Sequence, residues 1–427
     1  MKASIAATVF VVLAEGAVTG TWDSSTTREQ QASKSGGGKE FSLHQIKNRR
    51  FTGRDGVMAF ARAHLKYTQK LPDSLLKAIN VNSQLRSKFA ALNLGGVRGG
   101  TVQTQPTYGS DSEYAVEVGL GTPPQPIPLN MDTGSADFWT FSSDTDPQMV
   151  NDQALYHPEH SSTSKLIDGD SWSIRYGDGA GASGIVYDDA VQVGNMHVPH
   201  QAIESATYVS GDLAHDNFVS GIIGLANSSA NTISPEPRRT FFDNIRDELA
   251  RPLFTANLRS QAPGNYNFGF IDREEYTGVI HYTPIDRDSP LWKIAVSGYW
   301  VGYSKYQSTI DAIVDTGTSL TLLPQSVVDD FYAQVRGSYF HPELGAMVLP
   351  CSARVPDFWV TIGPYNGRLP GRYVKYARIN SRYCYGGIQS SSNLPFSVLG
   401  DVFLKAQFVV FDYGNAAVGF ANKKLHS

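Results

Sequence analysis

Apolar and polar residues alternate in short runs along most of this chain, and turn-forming Gly, Asn, Asp and Pro separate the runs. Residues 173–176 and 184–193 alternate at the period of a strand with one face on a core. Shorter, nearly continuous apolar runs at 127–131, 138–139, 312–314 and 320–323 read as buried strands. Helical periodicity is scarce. It predicts one short helix over 241–250 and another over 327–335, stopped by Gly337. An amphipathic stretch over 56–70 stands apart near the start of the chain. With 427 residues there is material for two or more cores, and 11% aromatics with 40 glycines fit an all-β chain with many turns.

Two of the buried runs lead into the same tripeptide. Asp132-Thr133-Gly134 is followed by Ser135, and Asp315-Thr316-Gly317 by Thr318, 183 residues later. The repeat is long-range, so it implies a duplicated lobe and not a solenoid. An Asp on a tight Gly turn between strands is held rigidly, with backbone N–H groups aimed at its oxygens. Two carboxylates brought face to face in a partly desolvated cleft cannot both ionise, and they share a proton. The charged partner can take a proton from water while the protonated one donates to a peptide carbonyl. Gly134 and Gly317 permit the turns, Ser135 and Thr318 place hydroxyls beside the carboxylates, and Thr133 and Thr316 can interlock through theirs. One such turn alone would be an ordinary β-turn; the matched pair points to catalysis.

The segments Asp132-Thr-Gly-Ser-Ala-Asp-Phe-Trp139, Trp172-Ser-Ile-Arg-Tyr-Gly-Asp-Gly179, Gly221-Ile-Ile-Gly-Leu-Ala226, Asp315-Thr-Gly-Thr-Ser-Leu320 and Leu399-Gly-Asp-Val-Phe403 resemble those of pepsin-family aspartic endopeptidases, above all the fungal penicillopepsin and aspergillopepsin group. The resemblance runs from about residue 114 to 420. It implies an all-β, bilobal fold, two pseudo-twofold-related β-barrel lobes with the cleft between them and a β-hairpin flap above. It implies Asp132 and Asp315 as the catalytic pair, and Ile223-Gly224 and Leu399-Gly400 as strands crossing behind each Asp turn. It also implies Tyr176 at the flap base, hydrogen-bonded to Trp139, with Gly177 and Asp178 at the tip. Core packing is the alternative role for each aromatic. An acid at Asp178 can meet a lysine in the first subsite, but fungal relatives that accept lysine often carry a serine where this chain has Ala180. Cleavage between bulky apolar residues is the expectation, with lysine taken weakly.

Charge divides the chain. Residues 1–100 carry 15 Lys and Arg against 6 Asp and Glu, a net +9, and the remainder is −13, which together give the −4 of the whole. A basic leader beside an acidic body suggests an inhibitory prosegment held electrostatically and loosened by acid; a basic arm for nucleic acid or an anionic membrane is the alternative. By resemblance, Lys66-Tyr67 matches the Lys-Tyr pair whose lysine enters the cleft and pairs with the two aspartates; the other reading is an exposed lysine on a helix face. The apolar run 5–14 after Met1-Lys2, then small residues to Gly20, reads as a signal peptide. The expected organisation is therefore a signal peptide at 1–20, a prosegment at 21–100, and lobes at 101–285 and 286–427. Maturation is expected at 98–102. The expected product is a secreted monomer without a lipid anchor, acting on proteins or peptides; a vacuolar destination is the alternative.

Cys351 and Cys384 are the two cysteines. In an oxidising compartment their pairing would close a loop worth roughly 4 kcal/mol, and the resemblance places a disulfide here; free thiols are the alternative. Asn227-Ser-Ser is a glycosylation acceptor. No cofactor and no metal are expected: the ten histidines are scattered and no zinc-type spacing occurs. Gly179-x-Gly181-x-x-Gly184 formally matches a dinucleotide fingerprint, but strand-like alternation follows it where a helix is required. Two rival readings remain, a catalytically silent binding protein on the same fold and a two-carboxylate glycosidase. The mirrored contexts of the two aspartates disfavour the second.

Overall fold

The computed structural model describes residues 38–49, 51, 53–91, 114–176, 180–214 and 216–425. The expected signal peptide, the expected maturation region at 98–102, and Gly177 and Asp178 lie outside them. The described chain is predominantly β and bilobal, as the pattern of short strands implies. One eight-stranded sheet carries the first Asp turn and a seven-stranded sheet carries the second.

The two turns are built alike. In the first sheet, the strand Gly221–Gly224 lies between Gln125–Asp132, to which it runs parallel, and Phe138–Phe141, to which it runs antiparallel. In the second, Ser397–Leu399 lies between Ser304–Val314 and Thr321–Leu323 with the same two senses of pairing. Each wedge ends on a glycine because the returning chain passes directly beneath it. A Cβ on Gly224 would sit 2.5 Å from the Ala136 carbonyl carbon, and one on Gly400 would sit 2.2 Å from the Leu320 oxygen.

A six-stranded antiparallel sheet joins the halves. It takes Leu253–Asn257, Asn265–Phe268 and Thr277–Pro284 from one side of residue 285, and Gln407–Asp412 and Ala417–Asn422 from the other. Residue 285 therefore does not separate two closed sets of strands. Phe254, Phe268, Phe411 and Trp292 stack beneath this sheet, with Phe254 4.7 Å from Phe411 and 5.6 Å from Phe268.

The edge strand of that sheet comes from the basic segment and was not anticipated. Phe41–His44 pairs antiparallel with Asn265–Phe268, and Ile46–Lys47 pairs with Tyr114–Ala115. Four residues alternate too briefly to announce a strand. It exists because a free sheet edge offers unpaired N–H and C=O groups and because Phe41 stacks on Phe268 at 4.7 Å. The amphipathic stretch forms the helix Gly56–Thr68, capped by Asp55 and ended by Gln69 at φ +56°. Two helices that the periodicity did not reveal follow, Asp73–Val81 and Ser83–Ala91.

Two helix boundaries differ from expectation. The helix expected over 241–250 stops at Ile245. Beyond it, Glu248 O accepts from Lys39 N at 2.8 Å and Ala250 N donates to Lys39 O at 3.0 Å, so a long-range pairing displaces the helical one. The helix expected over 327–335 is Gln325–Ala333. It starts early because Pro324 presets the N-cap, and Gly337 at φ +81° turns the chain after it. Cys351 and Cys384 are joined in a disulfide, with Cα atoms 5.1 Å apart.

Candidate active site

Asp132 closes its strand and Asp315 follows directly on its own, so both side chains emerge where a sheet stops and are 3% and 0% exposed. Gly134 N donates to Asp132 Oδ1 and Gly317 N to Asp315 Oδ1, each at 2.8 Å. Ser135 Oγ donates to Asp132 Oδ2 at 2.5 Å. The glycines have no substitute: a Cβ on Gly317 would stand 2.2 Å from Asp132 Oδ1, and one on Gly134 would stand 2.6 Å from Asp315 Cγ. Each turn thus presses its bare backbone against the other turn's carboxylate.

The threonines tie the turns together. Thr133 Oγ1 donates to Val314 O at 2.8 Å and Thr316 Oγ1 to Met131 O at 2.7 Å. Each hydroxyl also accepts the other's backbone N–H, at 3.0 and 3.2 Å. Each hydroxyl thus donates once and accepts once across the two turns, so the spacing of the aspartates is set by a reciprocal network.

Lys66, in the last turn of the helix Gly56–Thr68, points into this pair. Its Nζ donates to Asp132 Oδ1 at 2.8 Å and to Asp315 Oδ1 and Oδ2 at 3.2 and 3.1 Å. Tyr67 donates its hydroxyl to Asp315 Oδ2 at 2.6 Å. Thr318, the counterpart of Ser135, is buried beside the same carboxylate. Burial lowers the Lys66 pKa, but the two carboxylates more than offset it and the ammonium is held above its ordinary range. Burial raises Asp132, Lys66 pulls it down and Asp315 raises it again, leaving it above the usual carboxylate value. Burial raises Asp315 as well, yet Lys66 and then the Thr318 and Tyr67 hydroxyls bring it below. The two acids are thus held apart in acidity, the condition for one to keep a proton that the other lacks.

A cavity of about 690 Å³ is lined by Asp132 and by Thr316, Gly317 and Thr318 of the second turn, and Leu213, Val219, Ile222, Leu291 and Phe396 supply apolar wall. The hairpin over it is described up to the pairing of Tyr176 with Ala180. The Tyr176 side chain, Gly177 and Asp178 lie outside the described residues. Trp139 is buried, stacks on Trp172 at 6.0 Å, and its Nε1 has no partner among the described residues. Asn227 is exposed, its side chain accepting from Ser229 N at 2.9 Å.

One expectation needs correction. The histidines are not all scattered, because the 3-10 turn Pro158–His160 brings ligand atoms of His157, Glu159 and His160 within 4.8 Å of one another. The three are partly or fully exposed, and none lines the cleft. Sequence reasoning missed Asp137 and Glu204 behind the first turn. The available signal was an acid in the middle of an otherwise apolar run, Ala136-Asp137-Phe138.

The eukaryotic aspartyl protease family model matches residues 113–423. This chain belongs to the eukaryotic aspartyl protease family. It is a hydrolase of the aspartic endopeptidase class. It is similar to penicillopepsin-1 of Talaromyces stipitatus, with 42% identity over 89% of this chain and 92% of the relative. It is 40% identical to endothiapepsin of Cryphonectria parasitica over 98% of both chains. Aspergillopepsin-1 of Aspergillus oryzae is 41% identical over 90% of this chain and 93% of its own length.

Proposed function

We propose that this aspartic endopeptidase is made as a zymogen, secreted, and active in acid, with Asp132 and Asp315 as its catalytic pair. The observation that carries the reading is the pair itself: two buried carboxylates on mirrored turns, interlocked by Thr133 and Thr316. In the reaction, the ionised carboxylate takes a proton from a water as its oxygen bonds to the peptide carbonyl carbon. The protonated carboxyl gives its proton to the carbonyl oxygen, and a gem-diol forms. The newly protonated carboxyl then gives its proton to nitrogen while the other, now ionised, takes one from a gem-diol hydroxyl; the C–N bond breaks, acid and amine leave, and the pair is back in its starting state. Ser135, Thr318 and the turn glycines hold the carboxylates; Trp139, Tyr176, Gly177 and Asp178 form the flap side of the substrate site. The apolar wall favours bulky apolar side chains at the scissile bond, with lysine taken weakly because Ala180 stands where a serine would assist.

Residues 21–100 act as the inhibitory prosegment, with Lys66 and Tyr67 as its plug. Residues 1–20 direct secretion, and the lobes divide near residue 285. The mature enzyme works as a monomer. Among the described residues no helix is long and apolar enough to cross a membrane.

The test is to express the full chain, shift it to about pH 3.5, and follow its mass and its hydrolysis of denatured globin with and without a statine-type peptide. Loss of mass down to a body beginning near residue 100, with inhibitor-sensitive cleavage that Asp132→Asn abolishes, is the expected result. A stable full-length protein that cleaves nothing would favour the silent binding protein.

A further inference from the structure

Five residues past Asp132, the chain buries a second acid beneath the first turn. Asp137 is 4% exposed and lies against Glu204, 0% exposed, from the strand Met196–Val209. Asn231 Nδ2 donates to Glu204 Oε1 at 2.8 Å and to Asp137 Oδ1 at 3.1 Å. Thr232 N donates to Asp137 Oδ1 at 2.7 Å, and Phe138 N to Glu204 Oε1 at 3.4 Å. Glu204 Oε2 is buried and receives no hydrogen from any described residue.

Neither acid has a cationic partner among its described hydrogen bonds. Arg238, whose backbone N–H donates to Asn231 Oδ1, directs its guanidinium to Asp170 at 2.7 and 2.9 Å. Asp132, in the turn above, acts on the pair as well, and its negative charge opposes a charge on Asp137. Two buried carboxyls in contact, without a cation, cannot both be ionised. Burial, and then the charge of Asp137, hold Glu204 well above the carboxylate range, and burial raises Asp137 to about 6. The two acids therefore hold one proton between them, each carboxyl also accepting two N–H donors.

This pair is fastened to the catalytic turn through the main chain. Gly224 N donates to Asp137 O, Ala226 N to Ser135 O and Leu225 N to Asp132 O, at 2.9, 2.9 and 2.8 Å. Asn231 Nδ2 reaches Ala136 O at 3.2 Å as well. Separation of Asp137 from Glu204 would pull on the segment that carries Ser135, the hydroxyl that orients Asp132.

We infer that Asp137 and Glu204 form a second proton-sharing carboxyl pair that positions the first aspartate turn, and that losing its proton as pH rises releases that turn. Both groups are more easily protonated in the fold than in the unfolded chain. Their contribution is complete below the ordinary carboxylate range of about 4 and is lost as pH climbs through about 6 and beyond. The activity arm of the test rests on the function proposed above; the unfolding arm does not.

Glu204→Gln and Asp137→Asn each replace the shared proton with a permanent N–H donor. For both variants and the parent, globin cleavage after acid conversion would be measured at pH 3.5 and 6.5 with brief exposures. Thermal unfolding would be followed at the same two pH values on full chains also carrying Asp315→Asn, which removes self-cleavage. We expect the ratio of activity at pH 6.5 to that at pH 3.5 to rise at least about fivefold, and the drop in unfolding temperature between the two to shrink by about half or more. Titration of the catalytic pair is common to all three proteins, so a general packing defect leaves the ratio unmoved. Parental pH dependence in both arms for both variants overturns the inference, as does failure of both to fold, because the isosteres retain the hydrogen bond that the proton supplies. If the parent cleaves nothing at any pH, the proposed function fails and the unfolding arm alone decides.

Discussion

Thr133 and Thr316 each accept the other's backbone N–H and pass a hydrogen bond to the strand that precedes the other's aspartate. The symmetry makes the two sheets one mechanical unit at the site. It also means that neither hydroxyl can be removed without leaving a buried N–H and a buried carbonyl unpaired.

Thr316→Val is therefore expected to destabilise the protein by about 2–4 kcal/mol and to depress activity. Thr316→Ser, which keeps the oxygen, should stay within about 1 kcal/mol. Thermal unfolding of both variants at one acidic pH checks this. Equal losses for Val and Ser would show that the methyl packing matters and the hydroxyl does not.

Gly317→Ala places a methyl group 2.2 Å from Asp132 Oδ1, where the contact is backbone-held on one side and hydrogen-bonded on the other. We expect cleavage to fall at least about 100-fold, because the carboxylates must move apart. An active Gly317→Ala enzyme would mean that the spacing of the aspartates is more tolerant than this geometry implies.

On the zymogen reading proposed above, Lys66 couples latency to pH with a definite sign. The folded pKa of Asp315 lies below its unfolded value, so its contribution to the closed state is present above about pH 3.8 and is lost as pH falls through the depressed value. The parent chain should stay intact at pH 6 and convert near pH 3.5. Removing the ammonium leaves two buried acids that must share a proton, so Lys66→Met should convert at a pH about one unit higher. Intact mass followed across a pH series measures the difference, and coincident profiles would remove Lys66 from the latch.

Phe41→Ala should weaken the full chain by about 2–4 kcal/mol, since it deletes a buried ring stacked on Phe268 and loosens an edge strand. Denaturant unfolding of the full chain reports it. No change would imply that residues 41–44 lie on the sheet without supporting it.

Much of the site was legible because its chemistry is written locally. Asp-Thr-Gly needs only four residues to define a turn, its donors and its carboxylate, and two copies in buried contexts identify both aspartates. Lys66 and Tyr67 were legible by resemblance, although nothing in their spacing says that Tyr67 donates to Asp315 Oδ2.

What the sequence by itself determined is the content of the turns: the acids, the hydroxyls, the glycines and the strand alternation around them, all consequences of backbone geometry within a few residues. Only the tertiary structure decided how those turns are paired, that Phe41–His44 joins a strand more than 220 residues away, that Lys39 pairs with Glu248 and Ala250 beyond the helix at Phe241, and that Asp137 meets Glu204. Each of these depends on which groups from distant parts of the chain become neighbours once water is excluded. Hydrogen bonds and charges there are satisfied by position in space, and position along the chain does not record it.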